Sequence, residues 1–131
     1  PRPAFAYHGT PIGCTGTYAK ALSLAAFCDR VRDVVSPGIR LLDFGKRRVR
    51  SVGVVSGGAA DMVDQAAELG VDVYLTGEPS LQGYNLAEQL GQTVVFAGHY
   101  ATETFGVRSL ARLIRQKLNV PADFADFKIT Y

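Results

Sequence analysis

The sequence predicts an α/β protein of three layers, with helices on both faces of a mostly parallel or mixed sheet. From Arg50 onward, short apolar segments alternate with amphipathic ones, as in a chain that passes from strand to helix and back. The apolar segments are continuous, which is typical of strands that are covered on both faces. A length of 131 residues favours a single α/β domain, residues 1–131.

The N-terminal part of the chain is less regular. Its first twenty residues are rich in Gly, Thr and Pro, and they predict a loop with a short extended piece near residues 12–18. Ser23 is then a candidate N-cap for an amphipathic helix that ends before a Pro-Gly pair. A short strand is predicted over residues 39–44, and a basic turn follows at residues 45–48.

Three strand–helix pairs follow in a regular order. The predicted strands are residues 51–55, 71–75 and 93–97, and the predicted helices are residues 59–69, 80–90 and 102–118. The last helix has apolar residues at helical spacing, which predicts one packed face: Val107, Leu110, Leu113, Ile114 and Leu118. A final strand is predicted over residues 124–129, at an antiparallel edge of the sheet.

Composition and charge narrow the function classes. A net charge of +2 is too small to indicate a nucleic-acid partner. No apolar run is long enough to span a membrane, no signal peptide is recognisable, and Cys14 and Cys28 form no close-spaced metal or redox motif. We therefore expect a cytoplasmic protein. Because the chain begins with Pro1 and lacks an initiator Met, we also expect it to be a piece of something longer.

Polar residues follow the predicted strands at the points where they end. The three strand ends read Ser56-Gly57-Gly58, Thr76-Gly77-Glu78 and Gly98-His99. Ligands of open parallel sheets bind beyond the carboxyl ends of the strands, so these residues are expected to lie in one region together with Glu103. A carboxylate at a strand end is placed to contact a ligand, which makes Glu78 a candidate catalytic residue.

The spacing of His99 and Glu103 fits two arrangements equally well. Side chains four residues apart share one face of a helix, and an imidazole with a carboxylate can ligate a divalent ion. Alternatively, Thr102 is the N-cap of the helix, and Glu103 is favoured there by the helix dipole.

The remaining candidates each have a simpler structural interpretation. Ser56-Gly57-Gly58 before a helix could cradle an anion or could be a tight turn. His8 is expected in an exposed loop. Asp43 and Asp72 are expected at an edge or turn, whereas Tyr84 and Asn85 could approach the cleft beside Glu78.

Several segments resemble a known family. VGVVSGGAADMVDQAAELGVDVYLTGE, FAGHYATETFGVRSLARLI and HGTPIGCTGTY are similar to the C-terminal half of the Nif-three-like dinuclear-metal proteins, also labelled GTP cyclohydrolase I type 2 homologues. The resemblance covers nearly the whole chain. It implies one half of a two-lobed α/β fold that assembles as a homohexamer, with two divalent ions between the lobes.

The resemblance also assigns roles to residues of this chain. The His and Glu of the GHxATE motif match His99 and Glu103, which implies that both are metal ligands. The N-terminal half of such proteins supplies a His-containing motif and an aspartate, and this sequence has neither segment. It also has Asn85 and Tyr100 where members of the family often carry histidines.

Two functions therefore follow as hypotheses. The first is a metal-dependent hydrolase-like domain that uses zinc, iron or manganese on a nucleotide or other phosphate compound, with Glu78 positioning water or substrate. The second is a non-catalytic metal-binding protein whose assembly matters more than turnover. In both, this chain holds an incomplete site, and a second copy or a chain with the missing half completes it.

Overall fold

A mixed sheet of six strands forms the centre of the protein within residues 1–129, the part of the chain that the computed structural model describes. In chain order its strands are β1 (Arg2–Tyr7), β2 (Thr10–Ser23), β3 (Arg40–Leu42), β4 (Arg48–Val54), β5 (Val73–Thr76) and β6 (Thr93–Phe96). Across the sheet the order is β1-β2-β4-β5-β6-β3. The three central strands β4, β5 and β6 are parallel, and the outer strands pair antiparallel.

Helices cover both faces of this sheet, which confirms the predicted fold class. In the described residues they are α1 (Leu24–Val34), α2 (Val63–Glu68), α3 (Leu81–Leu90) and α4 (His99–Leu118). One face packs against α1 through Leu24, Phe27 and Val31, and the other packs against α2 and α3 through Val63 and Ala87. The cores on the two faces therefore fix the central strands from both sides.

Local sequence signals set several helix ends. The Ser23 hydroxyl accepts a hydrogen bond from the backbone N–H of Ala26 at 3.2 Å, so it is the predicted N-cap of α1. Ser80 caps α3 in the same way. Gly91 ends α3 in the left-handed conformation, with φ of 60°. The helix predicted over residues 59–69 is shorter, because a 3-10 turn (Ala60–Met62) precedes α2.

The first twenty residues form a β-hairpin, so the predicted loop is wrong there, whereas the extended piece predicted near residues 12–18 lies within β2. Strand β1 pairs with β2, and β2 pairs with β4. Phe5 on β1 is 3% exposed, and its ring stacks on Tyr74 with centroids 5.1 Å apart. A Cβ atom on Gly53 would lie 2.4 Å from the Phe5 ring, and one on Gly13 would lie 3.0 Å from it. These glycines make room for the aromatic ring; they do not mark a loop.

Helix α4 differs from the prediction in its start and in its packing. It begins at His99 rather than at residue 102. Within α4 only Ala111 is buried, and most of the side chains predicted to form a packed face are exposed: Val107, Leu110, Leu113 and Leu118. The apolar pattern therefore predicted the helix correctly but not its packing, because no element within residues 1–129 covers these apolar side chains.

Residues 120–129 form no strand, so the predicted final strand at residues 124–129 is wrong. This segment contacts α4 instead of a sheet edge. Arg115 forms an ion pair with Asp123 at 2.7 Å, and the Tyr100 hydroxyl donates to Asp126 at 2.9 Å. Side-chain contacts with the helix thus replace a backbone ladder. Across residues 1–129, the structure has no helix of the length and apolar character that a bilayer crossing requires.

Candidate metal centre

The three strand ends meet at one edge of the sheet, as the sequence predicted. The backbone N–H of Gly77 donates to the carbonyl of Gly57 at 3.0 Å, and that of Gly98 donates to the carbonyl of Gly77 at 2.9 Å. The hydrogen bonding between the parallel strands therefore continues beyond their last residues. This continuation fixes the loops that carry Glu78 and His99 relative to each other.

His99 lies between two carboxylates. Its Nδ1 is 2.6 Å from Oε2 of Glu78, which follows β5, and its Nε2 is 3.2 Å from Oε1 of Glu103, one turn further along α4. All three side chains are partly exposed to solvent. The ring is thus held in a fixed orientation by Glu78, and its second nitrogen faces Glu103.

Glycines bring the loop after β4 against the triad formed by Glu78, His99 and Glu103. Gly57 has a φ of +74°, and a Cβ there would lie 2.5 Å from Oε1 of Glu103 and 3.2 Å from Nε2 of His99. A Cβ on Gly58 would lie 3.5 Å from Oε2 of Glu78. No larger residue could occupy position 57 without displacing a candidate ligand.

Thr102 connects α4 to the same loop, which was not anticipated from the sequence. Its Oγ1 accepts a hydrogen bond from the N–H of Gly57 at 2.9 Å and lies 2.9 Å from the carbonyl of Gly98. The N-cap position of α4 belongs to Gly98, so the alternative with Thr102 as N-cap is wrong. The threonine of the GHYATE segment was the only sequence signal for this contact. Spacing alone does not distinguish a threonine inside the first turn of a helix from one at the N-cap.

The electrostatics of the site follow from this geometry. The hydrogen bond that the His99 ring donates to the Glu78 carboxylate raises the pKa of His99 above its ordinary value, and the charge of Glu103 acts in the same direction. Partial desolvation opposes these two effects without cancelling them. The protonated imidazole is therefore stabilised when no cation is bound.

The local contacts disfavour an anion site at Ser56-Gly57-Gly58. The N–H of Gly57 is taken by Thr102, and no α-helix starts directly after the loop. Two carboxylates also border the loop, which disfavours an anion there. Thr76 is fully buried and lies at the Gly57 carbonyl, so its role is structural.

The other predicted candidates lie elsewhere. The ring of His8 packs edge-on against Tyr7 in the β1–β2 turn, with centroids 4.3 Å apart. On α3, the ring of Tyr84 packs against Phe44, and Asn85 is exposed. Asp43 pairs with Arg47, as expected for a turn. Among residues 1–129, no group of three or more His, Cys, Asp or Glu side chains is placed to hold a metal ion.

A cleft of about 780 Å³ lies beside the triad. Pro37 from the loop between α1 and β3 and Arg40 from the start of β3 form one wall. Glu78 and Pro79, which follow β5, and Ala101 on α4 form the other. The cleft is large enough for a small organic molecule. Glu78 therefore borders both the cleft and His99.

The matching family model is that of Duf34/NIF3 (NGG1p interacting factor 3), and it covers residues 3–130. The chain belongs to the Duf34/NIF3 family. It is 37% identical over 121 residues to a Deinococcus radiodurans protein named GTP cyclohydrolase 1 type 2 homolog, and 37% identical over 120 residues to an Archaeoglobus fulgidus protein of the same name. Each match covers 92% of this chain but only 46% and 47% of the relatives.

Solved structures show the same relation. The protein ybgI, described as of unknown function, superposes with a TM-score of 0.86 at 26% identity, over 92% of this chain and 49% of that one. A Bacillus cereus protein related to NIF3 superposes with a TM-score of 0.69 at 28% identity, over 88% of this chain and 34% of that one. The chain thus spans about half the length of the curated relatives it matches, and its fold is that of Duf34/NIF3 proteins.

Proposed function

We propose that this chain supplies part of a dinuclear divalent-metal centre, with His99 and Glu103 as metal ligands. The observation that carries the proposal is the facing pair of donors, His99 Nε2 and Glu103 Oε1, 3.2 Å apart beside a loop without side chains at residues 57 and 58. Imidazole nitrogen and carboxylate oxygen are donors that zinc, iron and manganese accept. These residues fit one side of a metal site.

The remaining donors come from other polypeptide. Two protein donors are fewer than a single zinc ion takes, which is three or four. The third carboxylate of the site, Glu78, contacts the opposite nitrogen of the His99 ring, and residues 1–129 contain no group of three such side chains placed to hold a metal ion. A second copy of the chain, or the part of a longer protein that corresponds to the rest of its relatives, would supply them. The site would then lie at an interface.

Glu78 acts as a positioning residue for His99 in this proposal. Metal-binding histidines donate their free ring N–H to a carboxylate, which fixes the tautomer and strengthens the ligand. The contact of 2.6 Å between Glu78 Oε2 and His99 Nδ1 has this arrangement. The second oxygen of Glu78 is left for a water molecule or a substrate group in the adjoining cleft.

The reaction we propose is hydrolysis of a nucleotide or another phosphate compound. A bound metal pair would supply Lewis-acid chemistry and an activated water. The cleft beside Glu78 is where the substrate would bind, and Arg40 on its wall offers a cation to a phosphate. The name of the two curated relatives, GTP cyclohydrolase 1 type 2 homolog, supports a nucleotide as the substrate class.

Metal content tests the ligand assignment. His99→Ala and Glu103→Ala should each lower zinc binding at least tenfold, measured by elemental analysis after equilibrium dialysis of the intact assembly. His8→Asn is the matched control, since it removes the other histidine and asparagine tolerates the positive φ of 47° at that turn. Unchanged zinc content in either alanine variant would reject that residue as a ligand.

The same titration tests the role of Glu78. Glu78→Gln keeps a polar side chain of the same size but removes the charge that orients His99. We expect zinc affinity to fall by about tenfold, which is the usual cost of losing such a partner. Full affinity with lost turnover would instead assign Glu78 to substrate or water.

A non-catalytic metal-binding interaction protein is the second candidate function. It is favoured by the exposed apolar side of α4 and by the family description, which contains the words interacting factor. The two candidates differ in turnover. Metal-loaded assembly should hydrolyse at least one member of a panel of nucleotides and phosphoesters if the first is correct, and none if the second is correct.

A further inference from the structure

A second cavity lies between α1 and the sheet, on the face opposite α2 and α3, and none of its lining residues belongs to the candidate metal centre. Its volume is about 360 Å³, and most of its walls are apolar side chains from α1, β4 and β5: Phe27, Val31, Val52, Val54 and Leu75. Small-molecule sites occupy about 300–1,000 Å³, so the cavity has the size of a site for a small ligand.

The cavity exists because β2 has a glycine where its neighbours carry branched side chains. Gly16 lies opposite Val52, which in turn lies beside Val73 of β5. Residues in such a row direct their side chains to the same face of the sheet, here the face that α1 covers. A Cβ on Gly16 would meet nothing within 4 Å, so the space beside Val52 is empty.

An irregularity in β2 places an aromatic ring at the same cavity. The regular pairing of β2 with β4 stops after Thr17 and resumes at Leu22, and such interruptions re-aim side chains. Tyr18, the first residue of the interruption, packs against the core between α1 and the sheet. The guanidinium of Arg30 lies 5.8 Å from the centroid of the Tyr18 ring, and both residues line the cavity. The ring thus holds the guanidinium beside the apolar walls.

Arg30 has a charge that the rest of the fold does not neutralise. Within residues 1–129 it is the only charged side chain that lines the cavity, and none of the ion pairs in this part of the chain involves it. Arg32 on the same helix, in contrast, pairs with Asp29 at 2.7 Å. A guanidinium binds a carboxylate through two parallel hydrogen bonds, so Arg30 complements a ligand with one carboxylate.

We propose that this cavity binds a small unbranched apolar carboxylate, a fatty acid of about eight to ten carbons. The carboxylate lies against Arg30, and the chain fills the space that Gly16 leaves beside Val52. A methylene group takes about the volume of a water molecule in the liquid, about 30 Å³, so a chain of this length fills most of the cavity. A ligand of about ten heavy atoms binds such a site with Kd of about 10⁻⁴ M.

The walls favour this ligand over a segment of polypeptide. An inserted polypeptide would bury backbone N–H and C=O groups against Val52, Val54 and Leu75, whose side chains offer no hydrogen-bonding partner. An unpaired backbone group in apolar surroundings is unfavourable, whereas a hydrocarbon chain has no such group. The single cation at the cavity then determines where the one polar end of the ligand lies.

Calorimetric titration with sodium octanoate in EDTA tests the charge complementarity. The wild-type chain should bind one octanoate with Kd of about 10⁻⁴ M. Arg30→Gln should raise this Kd at least tenfold, whereas octan-1-ol, which has no charge, should bind both proteins equally. Arg32→Gln is the matched control, because Arg32 is already paired with Asp29 and should leave the Kd for octanoate unchanged. Equal octanoate affinity in all three proteins would reject Arg30 as the carboxylate site.

Filling the cavity tests the position of the chain. Gly16→Leu should abolish binding of octanoate and octan-1-ol, since its side chain occupies the empty space, and circular dichroism verifies that the variant is folded. Gly38→Leu is the control, because it adds the same side chain at the cleft beside the candidate metal centre and should bind octanoate like wild type. Binding that is lost in Gly38→Leu but kept in Gly16→Leu would place the ligand in that cleft and overturn the proposal.

The two cysteines report occupancy without calorimetry. Cys14 lines the cavity in one row with Val54 and Leu75 and is partly exposed, whereas Cys28 is buried. Octanoate at about 1 mM should slow the alkylation of Cys14 by iodoacetamide about tenfold, measured by peptide mass spectrometry, and leave that of Cys28 unchanged. Absence of both heat and protection would overturn the proposal. Because every measurement is made in EDTA, that result would leave the assignment of His99 and Glu103 as metal ligands untouched.

Discussion

At the scale of single residues, glycine sets how closely the loops approach the candidate ligands. A Cβ on Gly77 would lie 2.6 Å from the carbonyl oxygen of Gly57 and 2.8 Å from Cα of His99. Gly57 in turn lies against Glu103 and adopts a positive φ. The site is therefore assembled by backbone that passes within van der Waals distance of the candidate ligands, and a methyl group is enough to disturb it.

Replacement of Gly57 by alanine measures this effect. The positive φ alone costs about 1–2 kcal/mol for a residue with a Cβ. Gly9→Ala is the matched control, since Gly9 has a φ of +79° but open space around it. We expect urea unfolding to show that the backbone strain lowers the free energy of unfolding of both variants. Only Gly57→Ala should lose additional stability and bind zinc more weakly. Equal losses and equal zinc affinity would show that Glu103 moves aside freely.

The sequence predicted where the candidate site lies, but it did not predict which side chains contact each other there. Alternation of strands and helices predicted correctly that the segments ending in Glu78 and His99 meet at one edge. The contact between these two side chains joins residues 21 positions apart, and it depends on side-chain orientations that periodicity does not encode. For the same reason the spacing also allowed Thr102 to be an N-cap, although its hydroxyl faces a loop 45 residues earlier.

At the scale of elements, the N-terminal hairpin shows how composition can mislead. Gly13 and Gly53 lie on adjacent strands, and both border the ring of Phe5. In the sequence, such glycines are indistinguishable from those of a loop, because the side chain that needs the space is remote. The continuous apolar strands β5 and β6 carried an unambiguous signal, since each residue of both strands is buried.

One buried carboxylate, that of Asp72, fastens the start of β5 to the neighbouring strand β4. Asp72 accepts hydrogen bonds from the N–H groups of Arg50 at 2.9 Å and Ser51 at 2.8 Å, and it forms an ion pair with Lys46 at 2.7 Å. Burial raises the pKa of Asp72, but the contacts with Lys46, Ser51 and Arg50 together outweigh it and lower the pKa to about 2. The carboxylate thus holds the start of β5 against β4.

This depressed pKa predicts how stability depends on pH. An ordinary Asp titrates near 3.8, so the contribution of Asp72 is complete above that pH and is lost as pH falls towards about 2. Asp72→Asn should lower the free energy of unfolding by about 2 kcal/mol at pH 7. The difference from wild type should shrink in urea unfolding between pH 4 and pH 2. Asp33→Asn, at an exposed position of α1, is the control and should behave like wild type. A difference that does not change with pH would contradict the assigned contacts.

At the scale of the whole molecule, an uncovered side of α4 and the candidate ligands occur together. One side of α4 carries His99 and Glu103 and continues through the exposed Leu110 and Leu113. Any polypeptide that covers these two leucines also comes close to the candidate ligands. The matches to the two curated relatives cover 46% and 47% of their lengths.

Metal stoichiometry then follows from the number of donors. With two side-chain donors in the described residues, the isolated chain should bind at most one zinc ion, and weakly. Zinc that binds weakly stabilises the fold little, since an ion at its Kd adds only about 0.4 kcal/mol. We therefore expect Tm, measured at dilute protein concentration, to differ by less than a few degrees between EDTA and 10 µM zinc. In a titration against a competing chelator, zinc binding should saturate at or below one ion per chain. Tight binding of two ions to the monomeric chain would show that it holds the complete centre, and would remove the need for a partner at this edge of the sheet.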